Sequence, residues 1–262
     1  MCIRDSIDST WGKELLKRTS ANEDIIITTG FDPSAQIHPI DVEYGAASTH
    51  VVLSVRGSQV EVTYPLVGRF NVENVMTAFG VALQLGYSSS AIVEALRDVP
   101  AVPGRLQRVA AEHDGGISIY VDYAHTPDAL EKAIASVSAL ETEGKTIVVF
   151  GCGGDRDSGK RPIMGRAALA ADYAVVTSDN PRTEDPNAII EDIVAGMGEG
   201  TDHFEVVPDR REAIARAIAV AESGDAILIA GKGHEDYQII GTEKHHFDDR
   251  EVAAEELKKV FG

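Results

Sequence analysis

The sequence predicts an α/β protein whose second part is a doubly wound parallel sheet covered by helices on both faces. Three observations carry that prediction. From about residue 102 onward, short β-branched runs alternate with helix-length amphipathic segments, which is the pattern of a sheet built with crossover helices. The run TIVVF, Thr146 to Phe150, is almost continuously apolar, as strands buried on both faces are. It stops at the glycine cluster GCGGDRDSGKRP, behind which a helix begins, and α/β folds place ligands beyond strand ends of this kind.

The bulk numbers exclude several classes of function. A chain of 262 residues suffices for one large or two ordinary domains, and two are expected. With 42 acidic against 24 basic residues the formal charge is −18, which opposes nucleic acid and anionic membrane surfaces as partners. No run approaches the roughly 18 apolar residues of a spanning helix, so a soluble protein without a membrane partner is expected. Cys2 and Cys152 are the only cysteines, too few for a disulfide framework or a cysteine metal cluster. No apolar signal segment precedes the fold, which predicts a cytoplasmic location. Cys152 reads as a small residue packed under the glycine loop in preference to a nucleophile, because no base is identifiable beside it.

Taken in order, the first 18 residues carry no capping or targeting logic, and the chain reads as entering mid-fold, which predicts a truncated amino terminus. Segments 25–29, 51–55 and 60–64 are short, β-branched and separated by turn residues, so they are expected as antiparallel strands, with Arg56, Gly57 and Ser58 turning between the last two. In GRFNVENVMTAFGVALQLG, Val72, Met76, Phe79 and Leu83 recur at helical spacing and Gly86 offers a carboxy-terminal cap. Asn71 and Asn74, three apart, share a face of that helix. They read either as a helix cap or as an amide pair facing a base or sugar. A second helix is expected over 89–99. Pro100, Val102, Pro103 and Gly104 then interrupt the pattern, placing a domain boundary near residue 101. Arg105 follows directly, either as a solvated charge or as a group reaching a phosphate.

Beyond the boundary, strands are expected over 117–121, 146–150, 173–177, 204–207 and 226–230. Helices are expected over 127–140, 162–171, 187–197 and 210–222, with a last one from Asp249. The crossovers should be right-handed. Four polar loops follow these strands: DYAHTPD (122–128), GCGGDRDSGKRP (151–162), SDNPRTEDP (178–186) and GKGHEDYQ (231–238). In the second, Gly154, Gly159 and Lys160 fit the phosphate-loop pattern, but Arg161 stands where Ser or Thr would hold magnesium. Asp155 and Asp157 inside it would repel a triphosphate. The mixed charge better suits a zwitterion, with a triphosphate or a purely structural loop as the alternatives. Arg156 and Arg182 could each hold a carboxylate through a two-pronged contact, while Asp179 and Glu235 could receive an ammonium group. His125 and His234 lack ligand spacing and read as hydrogen-bonded structural histidines, so no metal site is expected. Lys145, in Glu-Gly-Lys-Thr, precedes its strand and is no phosphate loop.

At these loops the sequence resembles the Mur ligases of bacterial cell-wall synthesis. The carriers are GRFNVEN, VPGR, VDYAHTPDALE, VFGCGGDRDSGKRP, SDNPR and AGKGHEDYQ, and the resemblance covers nearly the whole chain. The last three belong to the branch that adds meso-diaminopimelate to UDP-N-acetylmuramoyl-L-alanyl-D-glutamate. The resemblance implies a Rossmann-like amino-acid-binding domain over 102–262, preceded by the carboxy-terminal part of a truncated ATP-binding α/β domain over 1–101. It implies that Asn71 and Asn74 lie near the adenine, and Arg105 and Asp122 near the nucleotide. Arg156, Asp179, Asn180, Pro181, Arg182, Gly231 and Glu235 match positions that hold the incoming diaminopimelate. ATP and Mg2+ are the implied cofactors. Their phosphate loop, magnesium carboxylates and carbamylated lysine would lie upstream of residue 1, so these residues alone are expected to be inactive. The implied reaction phosphorylates the D-glutamate side-chain carboxylate, and an amine of diaminopimelate then displaces phosphate, in a monomeric protein. A lysine-adding relative, which Arg182 disfavours, and a non-catalytic amino-acid-binding module are the alternatives. Ser158, where relatives often carry lysine, and Leu106-Gln107 depart from the family pattern.

Overall fold

The computed structural model of the protein describes residues 6–19, 26–109, 114–140, 144–198 and 202–262. The chain divides into two compact units, Met1–Pro100 and Ala101–Gly262.

The first unit opens with helix α1, Thr10–Arg18, whose amino end is capped by Ser9 accepting the Gly12 N–H at 2.8 Å. The opening segment therefore carries the capping logic that its sequence did not reveal. Three antiparallel strands follow: β1 (Ile37–Tyr44), β2 (Thr49–Val55) and β3 (Ser58–Tyr64), in the order β1-β2-β3. The strand expected over 25–29 is not there. Ile25 lies outside the described residues, and Thr29 makes only an isolated bridge to Ile37. Its place is taken by β1, which the sequence conceals because Pro39 interrupts it and its register shifts between Pro39 and Asp41. Proline is confined to such edges and irregularities of sheets. Helix α2 (Arg69–Gln84) lays Val72, Met76 and Phe79 on Ile37, Val51, Leu53 and Val62, whereas Leu83 is only partly buried. Helix α3 (Ser89–Arg97) is capped by Ser88.

The second unit is a six-stranded sheet with the order β4-β5-β9-β6-β7-β8. Its strands are β4 (Gln107–Arg108), β5 (Ser118–Asp122), β6 (Thr146–Phe150), β7 (Tyr173–Val176), β8 (Phe204–Val206) and β9 (Ala226–Ala230). All neighbours run parallel except β4, an antiparallel edge strand. Every residue of β5, β6 and β9 is buried, which is why those segments read as apolar runs in place of alternating ones. Alternate residues serve the two faces. Ile119, Val121, Ile147, Val149, Val175, Ile227 and Ile229 pack on Ile214 and Ile218 of α7 (Arg210–Val220) and on Val252 and Leu257 of α8 (Asp249–Phe261). Helices α4 (Pro127–Ser138), α5 (Arg161–Ala168) and α6 (Pro186–Val194) bury their own stripes, among them Leu130, Ile134, Met164, Ile190 and Ile193. A hairpin, β10 (Tyr237–Ile240) with β11 (Glu243–His246), completes the unit. It has no apolar alternation because β11 is fully exposed. Among the described residues no helix is long and apolar enough to cross a membrane.

Candidate functional site

The loops after β6, β7 and β9 form one structure because their backbones are stitched together. After β6 the Gly154 N–H donates to the Asn180 carbonyl at 2.9 Å. A Cβ on Gly154 would stand 1.9 Å from the Pro181 carbonyl oxygen, so only glycine permits this approach of the β6 and β7 loops. The Asp155 carboxylate accepts from the Thr183 N–H at 3.2 Å and hydroxyl at 2.9 Å, and the Asp155 N–H donates to Glu184. Asp157 accepts from the Gly159 N–H at 2.9 Å and begins the 3-10 turn Ser158–Lys160 that leads into α5.

Arg161 explains why the phosphate-loop pattern breaks where it does. Its side chain is 3% exposed and pairs with Glu184 at 2.8 Å and Asp192 at 2.9 Å. The position holds a buried cation that ties α5 to α6 and the β7 loop, in place of a metal-binding hydroxyl. The charges at 155, 157 and 161 are thus consumed within the protein.

Arg156 and Arg182 are not consumed in this way. Arg182 has φ +51°, a left-handed backbone that costs a non-glycine residue about 1–3 kcal/mol unless its surroundings impose it. The hairpin imposes it: the Arg182 N–H donates to the Ile239 carbonyl at 3.1 Å and its carbonyl accepts from the Gly241 N–H at 2.7 Å. Its guanidinium donates through Nη1 to the carbonyls of Gly154 (2.8 Å) and Asn180 (3.4 Å). Arg156 donates to the Asp155 carbonyl at 3.3 Å. A Cβ on Gly153 would lie 2.9 Å from Arg182 Nη1 and 3.9 Å from Arg156 Cγ, so the two arginines flank the same glycine. Among the described residues neither has a carboxylate within 4.0 Å.

Below them lies a buried polar cluster. Lys232, 0% exposed, donates from Nζ to Asn180 Oδ1 at 3.0 Å and stands 3.8 Å from Asp179 Oδ1. Burial pushes its ammonium pKa below the usual value, against the pull of Asp179. Asn180 Oδ1 also accepts the Ile239 N–H at 2.8 Å, and its Nδ2 donates to Glu235 Oε2 at 3.1 Å. Gly231, at φ +117°, brings its backbone against Asp179, whose Oδ2 lies 2.6 Å from where a Cβ would stand. Asp179 therefore already faces an ammonium from within the chain. The expected residues Arg156, Asp179, Asn180, Pro181, Arg182, Gly231 and Glu235 all belong to this stitched assembly. Lys232 belongs to it too. No local pattern marked it in the sequence, because its partner Asn180 lies 52 residues away.

Asp122 and Arg105 sit at the neighbouring strand end. Burial raises the Asp122 carboxyl, opposed by the Leu106 N–H, which donates to Oδ2 at 2.8 Å, and by Arg105. That bond holds the turn in which Leu106 has φ +38° and from which Arg105 projects, its guanidinium 5.5 Å from the Tyr123 ring centroid. The Tyr123 ring also meets His125 at 4.6 Å and His234 at 5.3 Å. His125 donates from Nδ1 to the Tyr123 carbonyl at 2.8 Å, and Lys160 donates to the His125 carbonyl at 3.0 Å.

In the first unit, Asn71 does not cap α2. The cap position is Gly68, without a side-chain bond, and Asn71 Nδ2 donates to the Val67 carbonyl at 2.8 Å. Asn74 donates to Asn71 Oδ1 at 3.3 Å, so the two do share a face. Cys152 is buried beneath the glycine loop, where burial pushes its thiol up to about 12. No group of three or more His, Cys, Asp or Glu among the described residues could hold a metal ion.

Comparison with known proteins matches residues 104–233 to the Mur ligase glutamate ligase domain and residues 6–82 to the Mur ligase middle domain. The UDP-N-acetylmuramoyl-L-alanyl-D-glutamate--2,6-diaminopimelate ligase of Parasynechococcus marenigrum is 49% identical over 96% of this chain and 50% of its own. That of Gloeobacter violaceus is 47% identical over 96% and 50%. A solved ligase of the same name aligns with TM-score 0.73 and 36% identity, over 97% of this chain and 52% of its own. The chain thus spans about half the length of the curated relatives it matches. With a family model matched in each of its two units, the chain belongs to the Mur ligase family.

Proposed function

We infer that the chain is part of an ATP-dependent ligase that joins meso-diaminopimelate to UDP-N-acetylmuramoyl-L-alanyl-D-glutamate in peptidoglycan synthesis, and that its second unit holds the incoming amino acid. The observation that carries this reading is the pair Arg156 and Arg182: two guanidiniums anchored on carbonyls of one loop assembly, tied through Asn180 to Glu235, with no carboxylate of their own. Cations fixed but unneutralised are suited to the carboxylates of a ligand, and Glu235 supplies the opposite charge for an ammonium. The names of the relatives support the same substrates.

ATP enters as a substrate: a carboxylate oxygen of the acceptor attacks its γ-phosphorus, the bond from that phosphorus to the β–γ bridging oxygen breaks, and ADP leaves an acyl phosphate behind. An amine of the amino acid then attacks that carbon, the carbon–phosphate-oxygen bond breaks, and phosphate leaves as the amine proton passes to solvent. The part of these residues is to hold the nucleophile in line, with its non-reacting charges neutralised. Arg105, projecting from the turn that Asp122 secures, is a cation available to a phosphate, and Asn74, exposed and braced by the buried Asn71, is the amide offered to an adenine.

The test is calorimetric titration of the chain with meso-diaminopimelate and with L-lysine, which lacks the second carboxylate. A charged hydrogen bond contributes about 1.5–3 kcal/mol, so diaminopimelate should bind about 10- to 150-fold more tightly. Arg182→Ala should remove most of that difference, and Arg182→Lys should not restore it, because an ammonium lacks the two-pronged geometry. Equal binding of the two amino acids by the unaltered chain would sink the assignment.

A further inference from the structure

Lys232 is a charge in a place where charge is costly, and its partners say what it does there. The side chain is fully buried, and an apolar residue of similar volume usually serves stability as well as or better than a buried ion. Its ammonium reaches Asn180 Oδ1 at 3.0 Å, and the same oxygen accepts the Ile239 N–H at 2.8 Å. Two donors converging on one end of the amide leave a single orientation for it. Were Asn180 flipped, its NH2 would face an ammonium and a backbone N–H, donor against donor. In the orientation thus imposed, Nδ2 points at Glu235 and donates to Oε2 at 3.1 Å. The turn closes the circuit, because the Glu235 N–H donates to the carbonyl of Lys232 itself at 3.0 Å.

We propose that Lys232 is a positioning residue for amino-acid binding: by fixing the amide of Asn180 it aims the Glu235 carboxylate, and it never touches the ligand. This rests on the assignment of the loop assembly to an amino acid, and it changes the part of Asn180. The Asn180 Oδ1 is committed to Lys232 and Ile239 and one N–H of its amide to Glu235, so the side chain serves as the bracket between the β7 and β9 loops. The ligand meets Glu235 and the arginines. Lys232, Asn180 and Glu235 act in series, so their contributions must be strongly non-additive.

The experiment uses the chain as it is, with two readouts. In 15N NMR the Asn180 side-chain amide should exchange slowly in the unaltered chain and at least tenfold faster in Lys232→Met; unchanged exchange overturns the proposal. By calorimetry, Lys232→Met should weaken meso-diaminopimelate at least tenfold, and Lys232→Met/Asn180→Ala should be no weaker than Lys232→Met alone. Retained affinity, or losses that multiply, overturns it. Should Lys232→Met fail to fold, Asn180→Asp decides the matter. It keeps the acceptor for Lys232 and Ile239 but sets a carboxylate against Glu235, so in folded protein affinity should fall at least tenfold, and undiminished affinity overturns the proposal. If the unaltered chain binds no diaminopimelate, the assignment of the ligand falls and the positioning role falls with it. The amide exchange then still reports whether Lys232 holds Asn180.

Discussion

Cys152 sits beneath a loop of charged residues, yet its chemistry is set by what covers it. A thiol 3% exposed and pushed up to about 12 by burial carries almost no thiolate at neutral pH, and the thiolate is the reactive form. Native chain incubated with iodoacetamide at pH 8 should leave Cys152 unmodified over hours by peptide mapping, and denaturant should expose it within minutes. Rapid labelling in the native state would return the residue to the list of candidate nucleophiles. That Arg156, Arg182 and Glu235 would fall on one loop assembly was legible because the strands their loops follow are neighbours in a parallel sheet. Arg161 looked like a defect in a phosphate loop, and its ion pairs with Glu184 and Asp192 have no local sequence signature. Lys232 was missed for the same reason: its partner Asn180 lies 52 residues away, and burial cannot be read from a lysine flanked by glycines.

Four helices of the second unit begin at side-chain caps, Thr126, Asp185, Asp209 and Asp248, each accepting a backbone N–H of the first turn, whereas α5 follows Lys160 without one. What joins two of those helices is not announced. Arg210, first residue of α7, forks onto Asp249, first residue of α8, at 2.7 and 2.8 Å with both side chains 0% exposed, and also donates to the Ala230 carbonyl at 3.1 Å. Removing one partner of such a pair strands a buried charge at a cost of about 3–5 kcal/mol. Arg210→Met should therefore lower the melting temperature by about 10 °C, at roughly 2–4 °C per kcal/mol for a body of this size. Arg210→Met/Asp249→Leu should recover most of the loss, since the Nη1 of Arg210 has no hydrogen-bond partner in the native fold. A double variant as unstable as the single one would show that the pair supplies something other than mutual neutralisation. Elements without an apolar pattern escaped the sequence altogether. Strand β1 is broken at Pro39, β4 spans two residues, and the β10–β11 hairpin carries exposed polar side chains, so nothing periodic marks them.

At the scale of the molecule, the alternation of strands and helices made the parallel sheet legible, because strands buried on both faces have to be apolar throughout. The strand order was not legible in the same way. Strand β9, last of the parallel strands in sequence, lies between β5 and β6, a choice made by long-range packing that no segment encodes by itself. That insertion has a consequence for folding. β5 joins β6 only through the chain from Ala226 to Ala230, and α7 and α8 close one face over Ile119, Val149 and Ile229. A core assembled around its last strand should melt as one body and tolerate no carboxy-terminal shortening. Residues 101–262, which form one compact unit, should therefore show a single cooperative transition by calorimetry, with an enthalpy of about 110 kcal/mol at roughly 0.7 kcal/mol per residue near 60 °C. Residues 101–224, lacking β9 and α8, should show none, because β5 and β6 then have no strand between them. A cooperative transition in the shortened chain would mean that β6, β7 and β8 form a stable sheet unaided and that β9 is an addition to the core and not its keystone.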